Sequence, residues 1–149
     1  MSVIIETQRF PRGEGVWAML WEIEQEGKGA IVNSEADAKG WTLTATLDSD
    51  GAQAKLFAAL NERGIVGWHS GGGCRAMARE FGGTYTVEAV PLQILVTGDD
   101  ANMPEAGGPW VVGCYDDQNE YIDGEEGTGD AEMLAAVDRA IAKMTALAA

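Results

Sequence analysis

Trp41-Thr42-Leu43-Thr44-Ala45-Thr46-Leu47 alternates apolar residues with threonine, the pattern of a strand with one buried and one solvated face. Helical signals follow at once. Asp50 stands as an N-cap with Gln53 three residues on as its capping-box partner, Leu56, Phe57 and Leu60 share one helical face, and Gly64 occupies the position of a left-handed stop. Ile65-Val66-Gly67-Trp68 then reads as a short apolar strand. Strand, helix and strand in such quick succession make this a chain of mixed α and β structure.

Upstream, Ser2 to Phe10 is rich in β-branched residues and reads as a strand that Pro11 ends. Gly15 to Glu26 fits two templates. Trp17, Met19, Trp21 and Ile23 recur every second residue, whereas Val16, Met19, Leu20 and Ile23 fit a helical stripe. The two tryptophans within the alternating set favour the strand, with Glu26 to Gly29 turning into Ala30-Ile31-Val32-Asn33.

Downstream, Ser70-Gly71-Gly72-Gly73 leads into an expected helix from Cys74 to Phe81, with Cys74, Met77, Ala78 and Phe81 as its inner face and Gly82-Gly83 as its end. Thr84 to Val90 and Leu92 to Thr97 read as strands parted by Pro91. A loop from Gly98 to Pro109 precedes a hairpin, Trp110 to Tyr115 and Glu120 to Ile122, around Asp116-Asp117-Gln118-Asn119. The last helix spans Asp130 to Ala146, striped by Leu134, Val137, Ile141, Met144 and Ala148. The expectation is a single α+β domain over residues 1–149, a mostly antiparallel sheet with about three helices on one face.

Length and composition agree with one globular domain: 149 residues, 46% hydrophobic and 23% charged. The start, Met1-Ser2-Val3-Ile4-Ile5-Glu6, has no basic region and too short an apolar run for a secretory signal, and no run suggests a membrane span. Two cysteines, Cys74 and Cys114, are too few for a disulfide scaffold, so a reduced, cytoplasmic protein is expected. No feature calls for a cofactor.

Charge is where the chain departs from the average. Of 24 acids and 10 bases, 14 acids and no Lys or Arg lie between Glu80 and Asp138, so that segment carries the whole net charge of −14. The acids include Asp99, Asp100, Glu105, Asp116, Asp117, Glu120, Asp123, Glu125 and Glu126. Such segregation attracts cationic surfaces and repels nucleic-acid backbones and anionic lipid. Direct nucleic-acid binding and membrane binding are excluded on that ground. A calcium loop starting at Asp117 fails where it needs an oxygen ligand at Tyr121, Gly at Ile122 and Glu at Thr128, so no metal site is expected. Carboxylates in this number can instead imitate the phosphate charge of a duplex.

His69-Ser70-Gly71-Gly72-Gly73-Cys74 is the other constellation. Glycines opening a helix offer free N–H groups to an anion, Arg75 and Arg79 add charge, and His69 with Cys74 form an imaginable nucleophile pair. The segment lacks the Gly-Lys-Ser/Thr of a phosphate loop, and Cys74 falls on an apolar face, so a structural role or an anion cradle at Ser70, Gly71, Gly72, Gly73 and Arg75 is the expectation. Five tryptophans outnumber either other aromatic. Trp110, flanked by Gly108-Pro109 after the acidic loop, is the expected exposed anchor.

The reading is a non-enzymatic module with no catalytic residues. Its acids, with Trp110, occupy a basic and nucleic-acid-binding surface of a partner protein and inhibit it, a role parallel to that of small acidic phage and mobile-element inhibitors. Two alternatives stand beside it: a virion or assembly subunit, and a small anion-binding protein or enzyme using the His69–Cys74 loop. Oligomeric state is left open.

Overall fold

The computed structural model describes residues 1–48, 50–69, 75–82, 86–99 and 102–149, and for Trp68, His69 and Arg75 the backbone. Its elements run β1 (Ser2–Pro11), a 3-10 turn (Arg12–Glu14), α1 (Gly15–Gly27), β2 (Ile31–Asp37), β3 (Gly40–Asp48), α2 (Ala52–Glu62), β4 (Val66–His69), β5 (Arg75–Phe81), β6 (Leu92–Thr97), β7 (Pro109–Tyr115), β8 (Tyr121–Thr128) and α3 (Asp130–Ala148). The described strands form one sheet in the order β2-β3-β1-β4-β5-β6-β7-β8. Two antiparallel runs, β2-β3-β1 and β4 through β8, meet at a parallel contact where Thr7 pairs with Trp68. The α+β class, the antiparallel pairing and the three helices match the expectation.

Register assigns the faces, because paired residues share a side. Gln8 and Phe10 pair with Leu43 and Trp41, while Met77, Val96 and Val112 line up across β5, β6 and β7. Through the Thr7–Trp68 and Trp68–Ala76 pairs, these two sets fall on the same side of the sheet. That side carries all three helices. Under α1 lies a small cluster of Phe10, Ala18 and Leu43, bordered by Trp21, Val32 and Trp41. Under α2 and α3 lies the main core, where Leu60, Ile65, Met77, Ile94, Val96, Met133, Val137 and Met144 are all fully buried. Among the described residues the other face has no helix.

Four expectations are corrected. Gly15–Gly27 is a helix, and its buried residues are Ala18 and Gln25, which belong to neither apolar pattern. Arg75–Phe81 is a strand. It lies inside the sheet and is buried on both faces, Ala76 and Ala78 on one and Met77 and Phe81 on the other, so its apolar residues lose their alternation and imitate a helical stripe. Arg79 is tolerated there because its guanidinium lies 4.6 Å above the Phe81 ring and donates to the Arg63 carbonyl at 3.0 Å. Of the strand expected from Thr84 to Val90, residues 84 and 85 lie outside the described residues and 86–90 form no strand: the Thr86 Oγ1 accepts from the N–H groups of Glu88 and Ala89, an ST-turn that diverts the backbone.

The fourth concerns the start of α2. Gly51 is the N-cap, and among the described residues no side chain caps the helix. Gln53 turns away from its own helix: its Nε2 donates to the Pro104 carbonyl at 2.7 Å and its Oε1 accepts from Ala106 N–H at 2.8 Å. These bonds fasten the acidic loop after β6 onto α2. Gly64 does end the helix with φ +76°, as expected.

Candidate functional site: the acidic border of the β7–β8 hairpin

β8 is the last strand of the sheet, so one side of the hairpin is an edge. Acids occupy that edge and both of its ends. At one end, Asp116, Asp117 and Glu120 form the tight turn joining β7 to β8. The Asp116 Oδ1 accepts from Gln118 and Glu120 N–H, both at 2.9 Å, which fixes the turn, and Asn119 sits in it with φ +59°. Two bonds lay the preceding loop against this turn: Val90 N–H donates to the Asp117 carbonyl, and Gln118 Nε2 donates to that of Glu88. At the other end Glu105 lies in the loop beside the start of α3, where Asp130 Oδ1 accepts from Gly107 N–H at 2.7 Å. Asp99 is exposed in the same loop, and Asp100 lies outside the described residues. The two ends are separated by the length of β8, roughly 25 Å at ~3.3 Å per residue.

Between them the strand carries Asp123, Glu125 and Glu126. Asp123 pairs with Cys114 and Glu125 with Val112, on the helix side. There α3 meets them with its two cations: Lys143 Nζ lies 2.5 Å from Asp123 Oδ2, and Arg139 makes a two-pronged contact with Glu125 at 2.7 and 2.9 Å. These bonds hold both carboxyls below the ordinary carboxylate range and raise Lys143 and Arg139 above theirs. Glu126 pairs with Val111 and faces the opposite, helix-free side. Tyr115 and Tyr121 meet edge to face on that side, with ring centroids 5.9 Å apart.

The expected site residues therefore divide. Asp99, Glu105, Asp117, Glu120 and Glu126 are exposed, and their side chains make no hydrogen bond or ion pair among the described residues. Asp116, Asp123 and Glu125 have structural partners. Trp110 is corrected: it is 4% exposed, within the core under α3, and is not a surface anchor. Among the described side chains the tryptophan that stands in solvent is Trp17, 63% exposed on α1. The signal for it was the helical stripe Val16, Met19, Leu20 and Ile23, of which Trp17 is a lateral neighbour.

The glycine loop loses its premise. Ser70, Gly71, Gly72, Gly73 and Cys74 lie outside the described residues, and Arg75 opens a strand, so no helix N-terminus follows to hold an anion. A groove of about 890 Å³ does open on the helix-free face, lined by Thr7, Arg9, Thr42, Val66, Ala78 and Glu80 among others. Among the described residues no three of His, Cys, Asp and Glu stand close enough to hold a metal ion. None of the helices among them is long and apolar enough to cross a membrane.

Cys114 is buried on β7 under α3, and burial pushes its thiol above the usual value. Its alkylation by iodoacetamide, followed by mass spectrometry of the Cys114 peptide, is expected to be slow in the native protein and fast in denaturant. Equal rates in both would show that α3 does not cover it. Comparison with protein-family models, with curated proteins and with solved structures finds no match for this chain.

Proposed function

We propose that the protein is a non-enzymatic binding module whose acidic hairpin border docks on the basic, nucleic-acid-binding surface of a partner protein and inhibits it by competition, as an inhibitor of the phage or mobile-element kind does. One observation carries the reading. Arg139 and Lys143 are the sole cations that follow Arg79 in the sequence, and both are already bonded to Glu125 and Asp123. The remaining carboxylates along the border have no cation of this segment to neutralise them. An unneutralised edge projects a field that steers a cationic partner, and it also discourages another strand from adding to β8.

The test uses four exposed acids that hold no structural bond among the described residues, three from the hairpin and Glu132 from the first turn of α3. The partner is captured from host lysate at low salt and released at high salt. Its association is then timed with wild type and with the variant Asp117→Asn, Glu120→Gln, Glu126→Gln, Glu132→Gln. The variant is expected to associate at least about tenfold more slowly at low ionic strength and with a flatter salt dependence. Its melting temperature should not fall, since like charges are being removed. Identical rates and salt slopes would make the acidity a matter of solubility alone. A second reading, an assembly subunit, draws support from the apolar residues that α1 exposes.

A further inference from the structure

Helix α1 is turned inside out relative to an ordinary surface helix. Its sheet side holds Ala18 and the buried amide of Gln25, which donates to Glu6 Oε2 at 3.1 Å, with Trp21 edge-on to Phe10. Its outward side holds Val16, Met19, Leu20 and Ile23, which are 65%, 53%, 48% and 58% exposed, with Trp17 beside them. The spacing i, i+3, i+4, i+7 places the four on one stripe, the arrangement that normally faces a core. With Trp17 they present roughly 600 Å² of largely apolar surface, the upper end for a monomer and close to the ~800 Å² each partner buries in a standard interface.

We propose that this stripe is a self-association surface, on which a second copy of the chain packs α1 against α1, antiparallel and about a two-fold axis. Positions along the helix favour that occupant. Val16 and Ile23 are equidistant from the midpoint between Met19 and Leu20. An antiparallel pair therefore sets Val16 of one copy on Ile23 of the other, and Met19 on Leu20. A two-fold contact needs this self-complementarity. In the same register Glu24 lies opposite Gly15 and Glu26 opposite Gly13, neither of which carries a side chain or a charge. Glu14 and Glu22 likewise oppose no acid. Repulsion from the acidic border is remote: β8 is five strands from β1, about 24 Å at ~4.8 Å per strand, against a screening length of ~8 Å. The acids around the stripe also make an anionic lipid surface a poor occupant.

Sedimentation equilibrium of the full chain, from micromolar to near-millimolar concentration, decides the matter. Wild type is expected to reach the mass of a dimer. Leu20→Glu and Met19→Lys each place two charges in the contact and are expected to weaken it at least about a hundredfold while leaving the circular-dichroism spectrum unchanged, because both side chains point away from the sheet. Reading the two variants in parallel keeps a folding defect in one from obscuring the result. Val87→Glu, an exposed apolar residue on the β5–β6 loop, should dimerise as wild type does. A wild-type chain that stays monomeric overturns the proposal, as does a dimer that both α1 variants leave intact. A monomer whose tryptophan emission shifts to the blue with phosphatidylcholine vesicles, and loses that shift in Leu20→Glu, gives the stripe to a lipid surface instead.

Discussion

Trp110→Ala is expected to destabilise the protein by about 3–5 kcal/mol, the range for emptying a large aromatic site in a packed core. Trp110 sits at the start of β7, on the side covered by α3, in the same cluster as Val112, Met133 and Val137. The edge of its indole lies over β8, so that a side chain added at Gly127 would come within 2.7 Å of Cζ2. One ring therefore contacts the edge strand as well as the helix above it, and its removal loosens the acidic hairpin together with the core. Its Nε1 is buried with no hydrogen-bond partner among the described residues. Trp110→Phe consequently keeps most of the packing and relieves an unsatisfied donor, and should cost less than about 1.5 kcal/mol. Urea titration followed by circular dichroism reads both, with a fall in midpoint at unchanged slope. A loss under about 1 kcal/mol for Trp110→Ala would mean that the ring is not packed as described.

Gly67→Ala should be comparably damaging, at about 3 kcal/mol or more, for a different reason. The added methyl would lie 2.1 Å from the Ile5 carbonyl oxygen and 2.8 Å from the Glu6 Cα, all backbone that cannot swing aside. The obstruction arises where β1 bulges between Ile4 and Glu6, beside the Thr7–Trp68 pair that joins the two antiparallel runs. The variant is expected to speed hydrogen exchange across β1 and β4 while β7 and β8 stay protected. Unchanged protection in β1 would show that the strands have room to spare.

The sequence was legible where one physical demand acted alone. The 41–47 alternation became β3 because that strand has a single buried face. The 116–119 turn became a hairpin because Asp116 and Asn119 suit its tight geometry. α3 formed where its apolar stripe lay, with Val137 and Met144 fully buried. Reading failed where two demands overlapped. β5 is buried on both sides, which erased its period. α1 breaks the assumption that an apolar stripe faces inward, and that assumption made the strand reading of residues 15–26 the more attractive. The site was legible in outline only. Composition located the charge, but not that Lys143 and Arg139 neutralise Asp123 and Glu125, because a contact between β8 and a later helix leaves no mark in local spacing. Trp110 looked exposed beside Gly108-Pro109, yet Pro109 is the first residue of a strand whose next residue turns inward.

The division of the apolar residues into two clusters sets an order on how the chain is completed during synthesis. The first 48 residues already contain every member of the cluster under α1: Phe10, Ala18, Leu43 and their neighbours Trp21, Val32 and Trp41. That part can close as soon as β3 has emerged, since domains and their parts fold from the N-terminus as they are made. The larger cluster draws on Leu56 through Met144, and five of its members belong to α3, which is translated after every other described element. Until α3 arrives, the β5-to-β8 part of the meander has an uncovered apolar face and the edge strand lacks both of its cations. Acidity along β8 is then at its greatest, so nascent chains repel one another through the interval in which they are most prone to aggregate.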